Sequence, residues 1–219
     1  DKDEWFMFPQ TVNAYYNPSG NEIVFPAAIL QPPFFALTND DAVNYGAIGG
    51  VIGHEMGHGF DDQGAKSDGD GNLRDWWTPE DKANFEKLTG ALVDQYNALC
   101  PLDEGKTCIN GRLTLGENIG DLGGLSLAYR AYKLSLNGKK APVIGGYTGD
   151  QRFFMAWAQA FRVKMREAAL RQQLQTDPHS PGQYRVNGIV RNFNEWYKAF
   201  DVKPGDKLYL PPEKRLRIW

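Results

Sequence analysis

The sequence lacks several features that would place it in well-known classes of protein. Its 219 residues include two cysteines and three histidines, and no apolar run approaches the roughly 18 to 20 residues that a membrane span requires. Basic and acidic residues nearly balance, 24 against 27, for a net charge of −3. This balance gives no electrostatic reason to bind nucleic acid. We therefore expect neither a membrane span in this chain nor a nucleic-acid partner.

Enough apolar residues are present to build a sizeable core. Hydrophobic residues make up 42% of the chain and aromatic residues 13%, which argues against a disordered protein. The length suits one large domain or two small ones, and we expect a single domain over residues 1–219. Cys100 and Cys108 flank a short segment containing Pro, Gly and Asp, so we expect a disulfide between them.

Local patterns predict a mainly α fold with a small β-hairpin near the N-terminus of the chain. Residues 11–16 and 23–26 are rich in β-branched and aromatic side chains around a turn-like segment, which predicts the hairpin. Residues 42–60 permit a buried helix by periodicity, although their glycines argue against one by propensity. Capping residues and apolar periodicity predict further helices over 79–99, 114–136, 150–174 and 194–200, with a Pro- and Gly-containing loop over 177–188.

The segment His54-Glu55-Met56-Gly57-His58 carries the strongest chemical signal. On a helix, histidines four positions apart share one face, so both imidazoles can reach the same metal ion. Glu55 is placed to act on a water rather than on the metal. A catalytic zinc site requires a third protein ligand. We therefore expect zinc, with one ligand supplied from elsewhere in the chain.

Glu117 is the candidate for that third ligand. Glu117 and Asp121 are also four positions apart, so they share a helical face. The residues alone leave a second interpretation open, in which Thr114 and Glu117 form a capping box at the start of the helix.

Four motifs follow one another along the chain. They are Val12-Asn13-Ala14-Tyr15-Tyr16, His54-Glu55-x-x-His58-Gly59-Phe60-Asp61-Asp62, Gly116-Glu117-Asn118-Ile119-Gly120-Asp121, and Asp177-x-His179-Ser180-Pro181 with Arg185. Together they resemble the neprilysin family of zinc metallopeptidases, the group of endothelin-converting enzyme and the bacterial PepO oligopeptidases. The resemblance covers essentially the whole chain, in the family's order, and it implies a thermolysin-like catalytic lobe, one zinc ion per chain and oligopeptide substrates.

The resemblance implies that His54, His58 and Glu117 hold the zinc ion while Glu55 is the general base. Asp61 would fix a ligand imidazole from behind. From the residues alone, a second interpretation stays open, in which Asp61 is a loop or capping acid.

Residues farther along the chain acquire roles only through the resemblance. His179 would stabilise the oxyanion, with Asp121 orienting it, and Arg185 would hold a substrate carbonyl or carboxylate. Without the resemblance, His179 and Arg185 would be interpreted as surface residues. Asn13 and Ala14, on the predicted edge strand, match residues that bind the substrate backbone, as an open strand edge can.

A hydrophobic specificity pocket is also implied. The matching positions line the family's pocket for the residue after the scissile bond, which implies cleavage on the amino side of hydrophobic residues. Each is equally what a core would contain. They are Ile29, Phe34, Val51 and Phe161.

Family members are several times longer, so we expect this chain to be their C-terminal catalytic portion, working with an N-terminal region of the same protein. We also expect export to the periplasm, the cell surface or the medium. A non-catalytic zinc-containing domain that binds peptides or acts as a scaffold is the alternative.

Overall fold

The computed structural model describes residues 3–219, so the predicted domain 1–219 begins two residues before the described part. The fold opens with a β-hairpin, as the sequence predicts. Strand β1 (Tyr15–Asn17) pairs antiparallel with β2 (Glu22–Val24), and Tyr16 lies opposite Ile23.

The remaining regular structure is helical, so the predicted fold class is confirmed. The α-helices are α1 (Asp41–Asn44), α2 (Gly50–His58), α3 (Pro79–Asn97), α4 (Leu115–Ser135), α5 (Gly149–Ala160), α6 (Glu167–Thr176), α7 (Gly182–Val190) and α8 (Asn194–Phe200). The longest of those described, α4, packs against α2, α3 and α7. Short 3-10 helices cover Ala27–Ile29, Gly64–Lys66, Asp103–Gly105 and Pro212–Lys214.

The glycine-rich segment predicted as a possible buried helix over 42–60 is helical as far as His58. A π-helical turn, Tyr45–Gly49, joins α1 to α2 without a break. The glycines cost helix propensity but allow a close approach. A Cβ at Gly53 would lie 2.7 Å from Gly124 Cα, and one at Gly57 would lie 3.2 Å from Gly120 Cα. The backbones of α2 and α4 therefore meet with almost no side chain between them.

Two predictions about the second half of the chain were wrong. The long helix over 150–174 is divided in two: Phe161 leaves the helical conformation at the end of α5, and α6 begins only at Glu167, after Arg166 with an extended backbone. The predicted loop over 177–188 contains most of α7, which begins after Pro181 and packs Ile189 into the core.

Two apolar clusters hold these elements together. The main core joins α3, α4, α5 and α7, whereas a smaller cluster joins Ala14 and Ile29 to Ile48 and Val51 beneath the hairpin. The predicted disulfide between Cys100 and Cys108 is present in the loop that follows α3. No helix among residues 3–219 is long and apolar enough to cross a membrane.

Candidate metal centre

The packing of α2 on α4 brings the predicted metal ligands together. Donor atoms of His54, His58 and Glu117 all lie within 4.8 Å of one another. His54 Nε2 is 3.2 Å from Glu117 Oε2, and His58 Nε2 is 3.6 Å from Glu117 Oε1. The two histidines share one face of α2, and the glycine contact places Glu117 of α4 opposite that face. Two imidazoles and one carboxylate are a ligand set typical of catalytic zinc.

Glu117 provides a test of whether a cation fits this site. Its Oε2 atom is buried and accepts no hydrogen bond of good geometry within the described residues, although His54 and His179 each place an Nε2 atom 3.2 Å away. A buried carboxylate oxygen left in this state is costly. A metal ion held by His54, His58 and Glu117 would satisfy it. The residues therefore fit zinc.

The capping-box interpretation of Glu117 was wrong. Thr114 makes no capping hydrogen bond with its side chain. Its hydroxyl instead donates to the carbonyl of Asn110 and accepts from the side chain of Asn118. The Glu117 carboxylate points to the histidines, not to the start of α4.

Carboxylates hold both α2 histidines from behind. Asp61 Oδ2 lies 2.7 Å from His58 Nδ1, which is the predicted contact with a ligand imidazole. Asp121 Oδ1 lies 2.8 Å from His54 Nδ1. Such contacts fix the ring and direct Nε2 to the metal. The expectation that Asp121 orients His179 was wrong, because Asp121 is fully buried against His54 and Arg185.

The buried charges shift one another's pKa values. Burial opposes a charged His54, but hydrogen bonds with Asp121 and Glu117 outweigh it and raise the pKa of His54 to about 9. Burial alone would raise the pKa of Glu117, whereas contact with His54 and the other histidines lowers it to about 2. Glu117 is therefore ionised and His54 carries a proton in the metal-free protein, so a cation must displace that proton.

His179 reaches the site from the loop before α7. Its Nε2 atom is 3.2 Å from Glu117 Oε2, so all three histidines of the chain converge on one carboxylate. Asp177, not Asp121, holds the ring, because Asp177 Oδ1 lies 2.8 Å from both the backbone N and Nδ1 of His179. Asp177 belongs to the motif Asp177-x-His179-Ser180-Pro181, but no role was predicted for it.

Asn118 and Ser180 are further positioning residues to which the sequence analysis gave no role. The buried hydroxyl of Ser180 donates to Asn118 Oδ1 at 2.9 Å, which links the His179 loop to α4. The signal was available, because Asn118 is a polar residue on an otherwise apolar helix face next to Glu117.

Arg185 lies on α7 and is no surface residue. Its Nε and Nη2 atoms donate to Asp121 at 2.8 and 2.6 Å, and its guanidinium lies 4.4 Å from the Phe161 ring centroid. Burial opposes the charge, but Asp121 overcomes this and raises the pKa of Arg185. Arg185 Nη1 makes no hydrogen bond within the described residues.

Glu55 is buried beside the ligands without being one of them. Only 5% of its surface is exposed, yet it lines the cleft. Burial raises the pKa of Glu55, and the nearby charges of His54 and His58 partly oppose the rise. A carboxylate whose proton affinity is raised in this way is suited to accept a proton.

The metal centre opens into a cleft of about 590 Å³. The predicted substrate-binding residues all line this cleft, and the backbone groups of Asn13 and Ala14 make no backbone hydrogen bond within the described residues. Ile29 and Val51 belong to the small core and also line the cleft. The lining includes Asn13, Ala14, Ile29, Phe34, Val51, Phe161 and Arg185.

A helical protein with a His-His-Glu cluster and a buried glutamate beside it, facing an open cleft, belongs to the class of zinc metallopeptidases. The comparisons with known proteins agree. The model of peptidase family M13 matches residues 13–216, and the chain belongs to this family.

Relatives and solved structures support this assignment over the full chain. Endothelin-converting enzyme 1 of Bos taurus and human neprilysin are each 43% identical to it over 100% of this chain and 29% of their own length. The crystal structure of the zinc metalloprotease Zmp1 of Mycobacterium tuberculosis with an inhibitor has 61% identity and a TM-score of 0.98, with 34% of that chain covered. PepO of Lactobacillus rhamnosis has 42% identity and a TM-score of 0.89. The chain therefore spans about a third of each of these proteins.

Proposed function

We propose that this chain carries the catalytic centre of a zinc-dependent endopeptidase or oligopeptidase that cleaves on the amino side of hydrophobic residues. The observation that carries the proposal is the convergence of His54, His58 and Glu117 within 4.8 Å, with Glu55 buried beside them. The relatives' names, which include a zinc metalloprotease and neprilysin, support it.

His54, His58 and Glu117 would hold one zinc ion. When bound, zinc polarises the scissile carbonyl and lowers the pKa of water to about 7. Glu55 takes a proton from the attacking water on its carboxylate and delivers it to the nitrogen of the leaving amine. Asp61 and Asp121 keep the two imidazoles oriented throughout.

His179 and Arg185 would stabilise charge that develops on the substrate. His179 Nε2 donates to the carbonyl oxygen as it becomes negative, and Asp177 holds the ring for this task. Asp121 fixes the Arg185 guanidinium, so that Nη1 can donate to a substrate carbonyl on the leaving-group side.

The cleft suits an extended peptide. The unpaired backbone of Asn13 and Ala14 can add a substrate strand to the hairpin edge. The residue after the scissile bond would enter the apolar wall of Ile29, Val51 and Phe161.

Glu55→Gln is the test of the proposal. The variant should keep zinc, because Glu55 is not a ligand, and should lose cleavage of a mixed oligopeptide library monitored by mass spectrometry. Cleavage by the parent chain should be abolished by a zinc chelator and should precede Phe, Leu, Ile or Val. Glu213→Gln, an exposed site on the far tail, is the matched control. Cleavage by Glu55→Gln at the parent rate would refute Glu55 as the base.

A second candidate is a peptide-binding or scaffold domain with a structural metal. The buried Glu55 counts against it, because a binding module has no need of a base there. We further propose that the protein is exported, which the Cys100–Cys108 disulfide supports. We also propose that it works with a further region of a longer protein, since the relatives are about three times longer.

A further inference from the structure

The segment Arg162–Arg166, between α5 and α6, is cationic and exposed. Arg162, Lys164 and Arg166 alternate with Val163 and Met165, which are 63% and 43% exposed. Within residues 3–219, none of the three cations forms an ion pair with a carboxylate. Charged side chains of one sign, left without partners, indicate an anionic binding partner.

The backbone of this segment is also without partners. Residues 162–166 belong to neither a helix nor a strand, Arg166 is extended, and Val163, Lys164 and Met165 make no backbone hydrogen bond through either N–H or C=O within the described residues. Most backbone polar groups in folded proteins are paired. A run of unpaired N–H and C=O groups at the surface offers hydrogen-bonding partners to another chain in extended conformation.

The segment continues the substrate cleft. A second cavity of about 320 Å³ is lined by Arg162 and Val163 together with Phe161, His179 and Arg185, and these last three residues also line the main cleft. Phe161 belongs to the wall that would receive the residue after the scissile bond. The following residues of a bound peptide would therefore reach Arg162 and Val163, where the segment begins.

The carboxylates near this segment are already engaged. Asp177 is bonded to His179, and Glu167 to Arg171 with 3.0 Å between Oε1 and Nη2. Arg185 adds positive charge from α7 and is itself bonded to Asp121.

We propose that residues 162–166 form a docking edge that selects peptides with acidic side chains at the second and third positions after the scissile bond. The inference rests on the proposed function and specifies its substrate class. Lys164 and Arg166 would contact the acidic side chains, while the backbone of 163–165 pairs with the peptide.

The test uses two fluorescent peptides that differ only at those two positions. Both carry one Phe for the apolar wall and an amidated C-terminus, so that no terminal carboxylate contributes. One has Glu-Glu after the Phe and the other has Gln-Gln. Binding is measured by anisotropy to the zinc-loaded Glu55→Gln chain, which should bind peptide without turnover.

The Glu-Glu peptide should bind about fivefold more tightly than the Gln-Gln peptide at low salt, which is the middle of the range of affinity gain expected from two exposed ion pairs. Salt should reduce the difference. The double variant Lys164→Glu/Arg166→Glu should reverse the preference. The control Lys87→Glu/Lys207→Glu, which makes the same change of net charge at exposed sites elsewhere, should keep it.

Equal affinities for the two peptides would overturn the inference, as would a preference that survives in the double variant or disappears equally in the control. Absence of binding by either peptide would also overturn it. Cleavage of the Gln-Gln peptide by the parent chain, lost with chelator, is a separate readout of the proposed function. It can succeed when the docking edge fails.

Discussion

Gly120→Ala should weaken zinc binding through a single methyl group. A Cβ at Gly120 would lie 2.8 Å from His54 Nδ1 and 3.0 Å from its Cε1 atom. Ordinary contacts between such atoms are about 3.5 to 4 Å, so the ring or the helix must move by more than half an ångström. The His54 ring contacts Asp121 through Nδ1 and Glu117 through Nε2, so a movement of the ring would break one of these contacts.

The two expected effects differ in size. Overpacking costs about 1–3 kcal/mol, whereas replacing a helical glycine by alanine recovers about 1 kcal/mol. The zinc-free protein should therefore lose only ~0–2 kcal/mol of unfolding free energy. Zinc affinity should fall about 10- to 100-fold, as it does when the groups behind a ligand are disturbed.

The assay pairs urea unfolding of the zinc-free chain with competition for zinc against a chromophoric chelator. Gly90→Ala on α3 is the matched control, because a Cβ there meets nothing within 4 Å. It should stabilise the chain by ~0.5–1 kcal/mol and leave zinc affinity unchanged. Parent-like zinc affinity in Gly120→Ala would show that the close contact of α2 and α4 does not position His54.

Three other predictions follow from the structure. Ser180→Ala should cost ~1–3 kcal/mol in urea unfolding and should lower the cleavage rate, because it leaves the buried Asn118 Oδ1 without its donor. Replacing both Cys100 and Cys108 by serine should lower the unfolding free energy by at most ~2–3 kcal/mol, because the disulfide closes a short loop with a sequence separation of 8. The replacement should leave zinc affinity unchanged. Hydrogen bonds from Arg171 hold the pKa of Asp103 below its ordinary range, so this exposed pair stabilises the fold near neutrality and the contribution is lost in acid. Arg171→Met should remove that acid dependence from the melting temperature.

Each of these predictions has a control. Ser135→Ala removes a hydroxyl that bonds only to its own helix, so the unfolding free energy of this control should change little. If Ser180→Ala also changed the unfolding free energy no more than Ser135→Ala does, the link between Ser180 and α4 would be refuted. Loss of zinc in the double serine variant would show that the disulfide supports the metal centre. Arg130→Met, at an exposed position that forms no ion pair within residues 3–219, should keep the acid dependence that Arg171→Met removes.

Features set by neighbouring residues were predictable from the sequence. Thr78 caps α3 and Pro79 occupies its first turn, so the start of that helix follows from local capping rules. The hairpin was likewise predictable from its turn residues, and the shared face of His54 and His58 from their spacing. Periodicity failed at Phe161, where α5 ends although the apolar pattern of residues 150–174 continues, and where the ring of Phe161 lies against the guanidinium of Arg185 on α7.

The sequence by itself determined that two imidazoles share a helical face with a glutamate between them, since four residues make about one turn of a helix. Only the tertiary structure decided what meets that face. Asp121 and Arg185 are 64 positions apart, and their pairing depends on how α4 and α7 pack. The choice of Glu117 as partner and of Asp177 as the support of His179 depends on glycine-mediated packing and on desolvation. Both are properties of the assembled chain, because neither exists until distant segments exclude water from the same space.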